Sequence, residues 1–150
     1  MVRMNLLFIL PFFIFSLGEW QHNLEDAKKI ARTDHKYILL NFSGSDWCGP
    51  CIRMRKEIFE TDVFKKMADT ELILVNADFP RNKKNQPSES QQKINDEMAD
   101  MYNRKGIFPY TLLLDSQGKV LKTWEGFPVE SAESFTLDIR NEMYTITNNQ

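Results

Sequence analysis

Two cysteines stand three residues apart, Cys48 and Cys51, at a point where a short apolar run gives way to a helical pattern, and the 150 residues contain no others. Tyr37-Ile-Leu-Leu-Asn-Phe42 is almost continuously apolar, as a strand buried on both faces requires. Ser43-Gly-Ser-Asp-Trp47 is a turn-rich connection, and Cys48-Gly-Pro-Cys51 then opens a helix continuing through Ile52, Arg55 and Phe59, with Pro50 in the first turn, where proline is tolerated. Cysteines at i and i+3 in a first helical turn have Cα atoms about 5 to 6 Å apart, within the range of a disulfide. They can pass between dithiol and disulfide with little backbone movement. The first of the two sits beside unpaired backbone N–H groups and the positive end of the helix dipole, which favour its thiolate. Cys48 is therefore the expected nucleophile. Cys51, one turn further in, is the expected resolving thiol.

The rest of the chain alternates helical and strand patterns at the spacing of βαβ units, which predicts an α/β fold. Leu24, Ala27, Ile30 and Ala31 share one helical face, and a second helix starts near Thr61-Asp62 with Val63, Phe64, Met67 and Ala68 inward. Leu72-Ile-Leu-Val75 is the next buried strand. A polar loop from Pro80 to Pro87 carries Arg81, Lys83 and Lys84, and Ser88-x-x-Gln91 announces a helix with Ile94, Met98 and Met101 on one face, ended by Gly106. Thr111–Asp115 and Val120–Trp124 flank a hairpin turn, and a last helix from about Ser131 buries Phe135, Ile139 and Met143.

Residues 1–18 differ from all that follows. One positive charge at Arg3 precedes an apolar run from Leu6 to Leu17 that is too short to span a membrane, and Ser16-Leu17-Gly18 supplies small residues for a signal peptidase. The expectation is a signal peptide over 1–18, with an uncleaved anchor as the alternative, and a single domain over 19–150. Charge excludes one large class of partner. With 19 Lys+Arg against 21 Asp+Glu, the net charge of -2 is far from the basic footprint of nucleic-acid binders.

Trp47-Cys48-Gly49-Pro50-Cys51 is identical to the active-site pentapeptide of thioredoxins, and the order of elements around it resembles the thioredoxin fold from about residue 24 to 145. The resemblance implies a central mixed sheet of four to five strands flanked by helices. Gly106-Ile-Phe-Pro109 is similar to the family's second signature, in which a cis-proline faces the disulfide. It gives Pro109 that place, makes the backbone of Phe108 the partner of a substrate chain, and puts Gly126 at the groove rim. Trp47, Gly49 and Pro50 become active-site support. Asn41-Phe-Ser-Gly-Ser-Asp-Trp-Cys48 and Asn76-Ala-Asp-Phe-Pro80 resemble the exported thioredoxin-like proteins of bacteria, relatives of the soluble domains of thiol-disulfide interchange proteins.

Two departures bear on mechanism. Asn41 stands where thioredoxins bury an aspartate that takes the proton of the second cysteine, and Leu74 replaces that aspartate's lysine partner. Losing both avoids a lone buried charge. Any proton relay to Cys51 then has to involve Asn41 with water, or Glu57. Asp46 is either a loop residue or a charge that tempers the thiolate. The Asn41-Phe-Ser43 glycosylation sequon lies in a buried strand, which argues against its use.

The resemblance implies a monomeric, exported disulfide reductase of the bacterial envelope, periplasmic or secreted. It needs no cofactor beyond the Cys48–Cys51 pair. Its partners are protein thiols and disulfides and a membrane thiol-disulfide interchange protein as electron donor. Gly-Pro between the cysteines goes in the family with potentials near about -270 mV, against about -120 mV for a strong periplasmic oxidant. The other readings are an oxidase or isomerase, and a binding or assembly module with a structural disulfide. Metal binding by the pair has only His22 and His35 to draw on, and neither lies at ligand spacing.

Overall fold

The computed structural model describes residues 19–148, so the expected signal segment lies outside the described residues. Four strands form one mixed sheet in the order β2-β1-β3-β4, with β1 at Tyr37–Ser43, β2 at Leu72–Asp78, β3 at Tyr110–Leu114 and β4 at Val120–Glu125. β1 and β2 run parallel, and β3 is antiparallel to both of its neighbours. Instead of a fifth strand, Gln21 alone bridges the free edge of β2 through its N–H to Leu74 O (2.8 Å) and its carbonyl to Asn76 N (2.9 Å).

Five α-helices cover the two faces: α1 (Leu24–Asp34), α2 (Gly49–Met54), α3 (Asp62–Glu71), α4 (Glu89–Tyr102) and α5 (Ala132–Asn148). Alternation along the strands assigns the layers. Leu39, Leu74 and Leu113 point to the face covered by α2, α3 and α5, where they meet Met54, Phe64, Met67, Phe135 and Ile139. Ile38, Leu40, Phe42, Val75 and Leu112 point to the face covered by α1 and α4. Helices cover β1 from both sides, which explains why Ile38, Leu39, Leu40 and Phe42 are all buried.

The helix after the cysteines is not uniform. It changes at Met54 into a π-helical turn, Arg55–Phe59, closed by Glu60 N to Arg55 O at 2.9 Å. The wider turn lets Ile58 and Phe59, adjacent in sequence, both enter the core.

Two expectations for α4 need correction. Its inward residues are Asn95 and Met98, with Ile94 and Tyr102 partly buried, while Met101 is exposed. Polar bonds select this face: Asn95 Nδ2 donates to Asp78 O (2.8 Å) and Tyr102 Oη to Gly118 O (2.9 Å). The helix also stops at Tyr102 with Asn103 as its cap, and Gly106 (φ 64°) belongs to the loop beyond. Ser88 does cap the helix through Gln91 N at 3.2 Å, but the Gln91 side chain turns away to His22 O and Asn95 Oδ1. Among the described residues no helix is long and apolar enough to cross a membrane.

Candidate active site

At the carboxyl end of β1 the chain turns through Gly44 and reaches Cys48, which is the N-cap of α2. Cys48 and Cys51 form a disulfide with Cα atoms 5.2 Å apart, and Cys51 N–H donates to Cys48 Sγ at 3.2 Å. A donor aimed at that sulfur stabilises it as an anion once the disulfide opens. Both cysteines are buried, while Gly49 and Pro50 are exposed beside them. Gly44 is dictated by Trp47, because a methyl at Gly44 would overlap the indole ring.

Trp47 is held rather than loose. Its Nε1–H donates to Phe79 O at 2.7 Å, and the ring of Phe108 meets Trp47 edge-on at 5.5 Å and Phe79 at 5.7 Å. The Phe108-Pro109 peptide bond is cis, and Pro109 O accepts from Gly126 N at 2.9 Å, which ties the proline loop to the loop after β4. Gly126 has φ 78°, a conformation that favours glycine. Among the described residues the Phe108 backbone N–H and carbonyl have no hydrogen-bond partner. The resemblance did not point to Asn103. Buried at the end of α4, it clamps Ile107 from both sides, Nδ2 to the carbonyl and Oδ1 to the N–H at 2.9 Å each, and so fixes the approach to Phe108 and Pro109. Its only sequence signal is an asparagine just after an apolar helical face.

Behind the disulfide the sheet turns polar. Register pairs Leu39 with Leu74 and Leu113, and two residues along β1 it pairs Asn41 with Asn76 and Thr111, so a polar rung follows a leucine rung on the same face. Asn41 Nδ2 donates to Asn76 Oδ1 (2.9 Å) and Asn41 Oδ1 accepts from Thr111 Oγ1 (3.0 Å). Ser43 Oγ lies 3.1 Å from Asn76 Oδ1 and 3.0 Å from Asp78 Oδ1, and Asp78 also accepts from Ser45 N and Ser45 Oγ. Asn41, Ser43, Asn76, Asp78 and Cys51 all line one cleft of about 1010 Å³. Leu74 lines it too, but the polar partner of Asn41 is Asn76, two positions on.

Glu57 does not line this cleft. It is exposed and held by Arg53 through two bonds of 3.0 Å, and that guanidinium keeps its carboxyl below the usual glutamate range. Arg53 in turn lies over the Phe127 ring at 4.2 Å. Among the described residues three carboxylates share the cleft with Cys51: Glu60, which Arg55 holds at 2.9 Å, Asp69, and Asp78, the one bonded to Ser43 beside the polar rung.

Asp46 is a clamp on the polar loop. Its carboxylate accepts from Arg81 N (2.9 Å), Asn82 N (2.9 Å) and Asn85 Nδ2 (3.0 Å), and these bonds, Arg81 N first, hold its pKa below the ordinary aspartate value. A carboxyl with a depressed folded pKa adds stability at neutral pH and loses it as pH falls through that value. Amide exchange at Arg81 and Asn82, corrected for its intrinsic pH dependence, should therefore accelerate in strong acid. In Asp46→Ala it should be fast at neutral pH as well; unchanged protection there would remove the clamp. Among the described residues no cluster of three metal-ligating side chains occurs, and His22 and His35 are both exposed.

Residues 24–137 match the family described as a thioredoxin-like domain. The chain is 41% identical over 103 residues to the disulfide bond reductase DsbH of Chlamydia pneumoniae, which covers 69% of this chain and 60% of that protein. It is 28% identical over 75 residues to the thioredoxin-related protein DsbJ of the same organism, covering 50% of this chain and 22% of that one. It thus spans less than two thirds of the length of these curated relatives. Among solved structures, a DsbH oxidoreductase superposes with a TM-score of 0.76 at 31% identity, covering 95% of both chains. The oxidised DsbD C-terminal domain of Neisseria meningitidis, at TM-score 0.53, 17% identity and 79% and 90% coverage of this chain and that one, shares the fold alone. With a sheet of order β2-β1-β3-β4, a cysteine pair at disulfide distance on the first turn of α2, and these matches, the chain belongs to the thioredoxin-like family.

Proposed function

We propose that this chain is an exported thiol–disulfide oxidoreductase that reduces disulfides in protein substrates. The observation carrying this reading is the closed Cys48–Cys51 disulfide at the start of α2, with Cys51 N–H aimed at Cys48 Sγ. In the reduced protein, Cys48 thiolate attacks one sulfur of the substrate disulfide, and the other sulfur leaves as a thiolate that takes a proton from water. Cys51 then loses its proton and attacks Cys48 Sγ. The Cys48–Cys51 bond closes, the second substrate thiolate departs, and two electrons have passed to the substrate. Trp47 and Phe108, half-buried and in edge-on contact, would be the wall a substrate chain lies against, with buried Pro109 supporting it from the next position and the unpaired Phe108 backbone available for strand-like bonds. Gly126 borders the same loop.

The proton of Cys51 needs an acceptor, and the amide of Asn41 is not one at neutral pH. Asp78 carries the acidic end of the rung that begins at Asn41 and shares its cleft with Cys51. In Asp78→Asn, release of the mixed disulfide should slow by about tenfold to a hundredfold, the lower end of general-base effects, and become steeper with pH. Rapid-quench assays should show an unchanged rate of Cys48 attack. A mere structural loss would slow both steps, so equal slowing would defeat the assignment.

Export is part of the reading, supported by the apolar run that ends in Ser16-Leu17-Gly18. An exported reductase draws its electrons from a membrane thiol-disulfide interchange partner. Equilibration with glutathione tests the direction: a reductase should have a midpoint near about -270 mV, and a value more oxidising than about -180 mV would make the protein an oxidase or isomerase.

A further inference from the structure

The loop between β2 and α4 is an insertion next to the cysteine pair, and it is rigidly built. Asp46 holds its backbone at Arg81 and Asn82, Asn82 Oδ1 accepts from Lys84 N at 3.2 Å, and Trp47 Nε1–H holds Phe79 O. The two residues that hold the loop, Asp46 and Trp47, immediately precede Cys48 in the chain. The loop presents three cations, Arg81, Lys83 and Lys84, all exposed. Among the described residues none of the three has a carboxylate within ion-pair distance. Asp46, the carboxylate that holds the loop, is occupied by backbone and amide donors. Arg81 lies over the Trp47 ring, its Cζ 3.8 Å from the centroid. A guanidinium stacked in this way keeps its in-plane N–H donors for a carboxylate.

Cations carried on a held backbone with no carboxylate paired to them, set beside an aromatic wall, match a ligand that is apolar or sulfur-bearing at the wall and anionic at the rim. Nothing in the fold requires three cations here, since the loop is held by bonds to its backbone and by Asn82. We infer that Arg81, Lys83 and Lys84 form a docking rim for an acidic segment of the disulfide-bearing polypeptide, with Glu or Asp residues flanking the cysteine that meets Cys48. This inference rests on the proposed reductase reading, which supplies a polypeptide partner at the Trp47–Phe108 wall. Charges at such a rim act on encounter rate and salt dependence, and their effect is screened at high ionic strength.

The test uses two disulfide peptides that differ only in having Glu or Lys on either side of their cysteines. Their rates of reduction, as kcat/KM, are compared as a ratio within each protein, so a general change in activity cancels. The wild-type protein should favour the Glu peptide by about tenfold at low salt, and the ratio should fall towards one as NaCl is raised to about 0.5 M. In Arg81→Gln/Lys83→Gln/Lys84→Gln the ratio should be near one at all salt concentrations. A wild-type ratio near one at low salt, or a triple variant that keeps the wild-type ratio, would overturn the inference.

A second readout separates this inference from the reductase reading. The same peptides with serine for cysteine are titrated into the oxidised protein, and Trp fluorescence follows binding without turnover. Tighter binding of the Glu peptide, lost in the triple variant, sustains the docking rim even if no peptide is reduced; that result would defeat the reductase reading alone. Reduction of both peptides at equal rates, with equal binding, would defeat the rim and leave the reductase reading standing.

Discussion

Serine in place of Cys48 is expected to lower the rate of insulin-disulfide reduction by about a thousandfold or more, to the level of the uncatalysed thiol reaction. The size follows from the chemistry: a serine hydroxyl is far less acidic than a thiol and cannot form a stable bond to the substrate sulfur. Cys51→Ala should behave in the opposite way. It keeps the nucleophile and removes the group that releases the product, so Cys48 should accumulate as a mixed disulfide that survives non-reducing electrophoresis and is released by dithiothreitol. The trapped species identifies the partner by mass. Because Cys48 accepts the Cys51 backbone N–H and not its thiol, the alanine variant retains that donor and the N-cap. Insulin reduction by Cys48→Ser at the wild-type rate would make the pair structural and turn the Trp47–Phe108 wall into a binding surface without chemistry.

The parts of this site that were legible in the sequence are those fixed by local rules. A strand buried on both faces, a proline in a first helical turn and an i, i+3 cysteine pair each leave a signature within a few residues, and the elements stand where those signatures put them. What remained hidden depends on partners distant in the chain. Asn41 reads as a polar interruption in β1, yet its partners, Asn76 on β2 and Thr111 on β3, are set by register between strands 35 and 70 residues away. Glu57 lies close to Cys51 in sequence, but Arg53 one helical turn before it takes its carboxylate outward. Asp78 lies far from Cys51 in sequence and reaches the same cleft through the sheet. The face of α4 failed for a related reason. Hydropathy favours Met101 over Asn95, but the Asp78 carbonyl and the Gln91 amide offer Asn95 bonds that satisfy its burial. Nor does any local pattern in the polar loop show what holds it, because Asp46 lies 35 residues before Arg81.

Asn41→Asp is the substitution with the largest expected effect outside the cysteines. It restores the residue type of thioredoxins without the lysine beside it, since Leu74 remains. Asn41 is 5% exposed, so burial raises the pKa of the new carboxyl, while Thr111 Oγ1 and a turned Asn76 amide supply two donors that offset part of the rise. An acid whose folded pKa lies above its unfolded value holds its proton longer in the folded state. Below the unfolded value both states are protonated and the variant loses little. As pH climbs to the folded value, stability falls by about 1.4 kcal/mol for each unit of elevation, and then levels off. A net elevation of about two units gives a loss of about 3 kcal/mol between pH 4 and pH 8, a sizeable part of the stability of a single domain. Urea unfolding of wild type and variant at the two pH values measures the difference. The same carboxylate would face the cleft of Cys51 and could take its proton, so release of the mixed disulfide should quicken above the carboxyl's pKa even as the fold weakens. A stability loss of equal size at both pH values would mean that the damage comes from shape and not from charge. A release rate with no new dependence on pH would mean that a carboxyl at position 41 does not take the proton of Cys51.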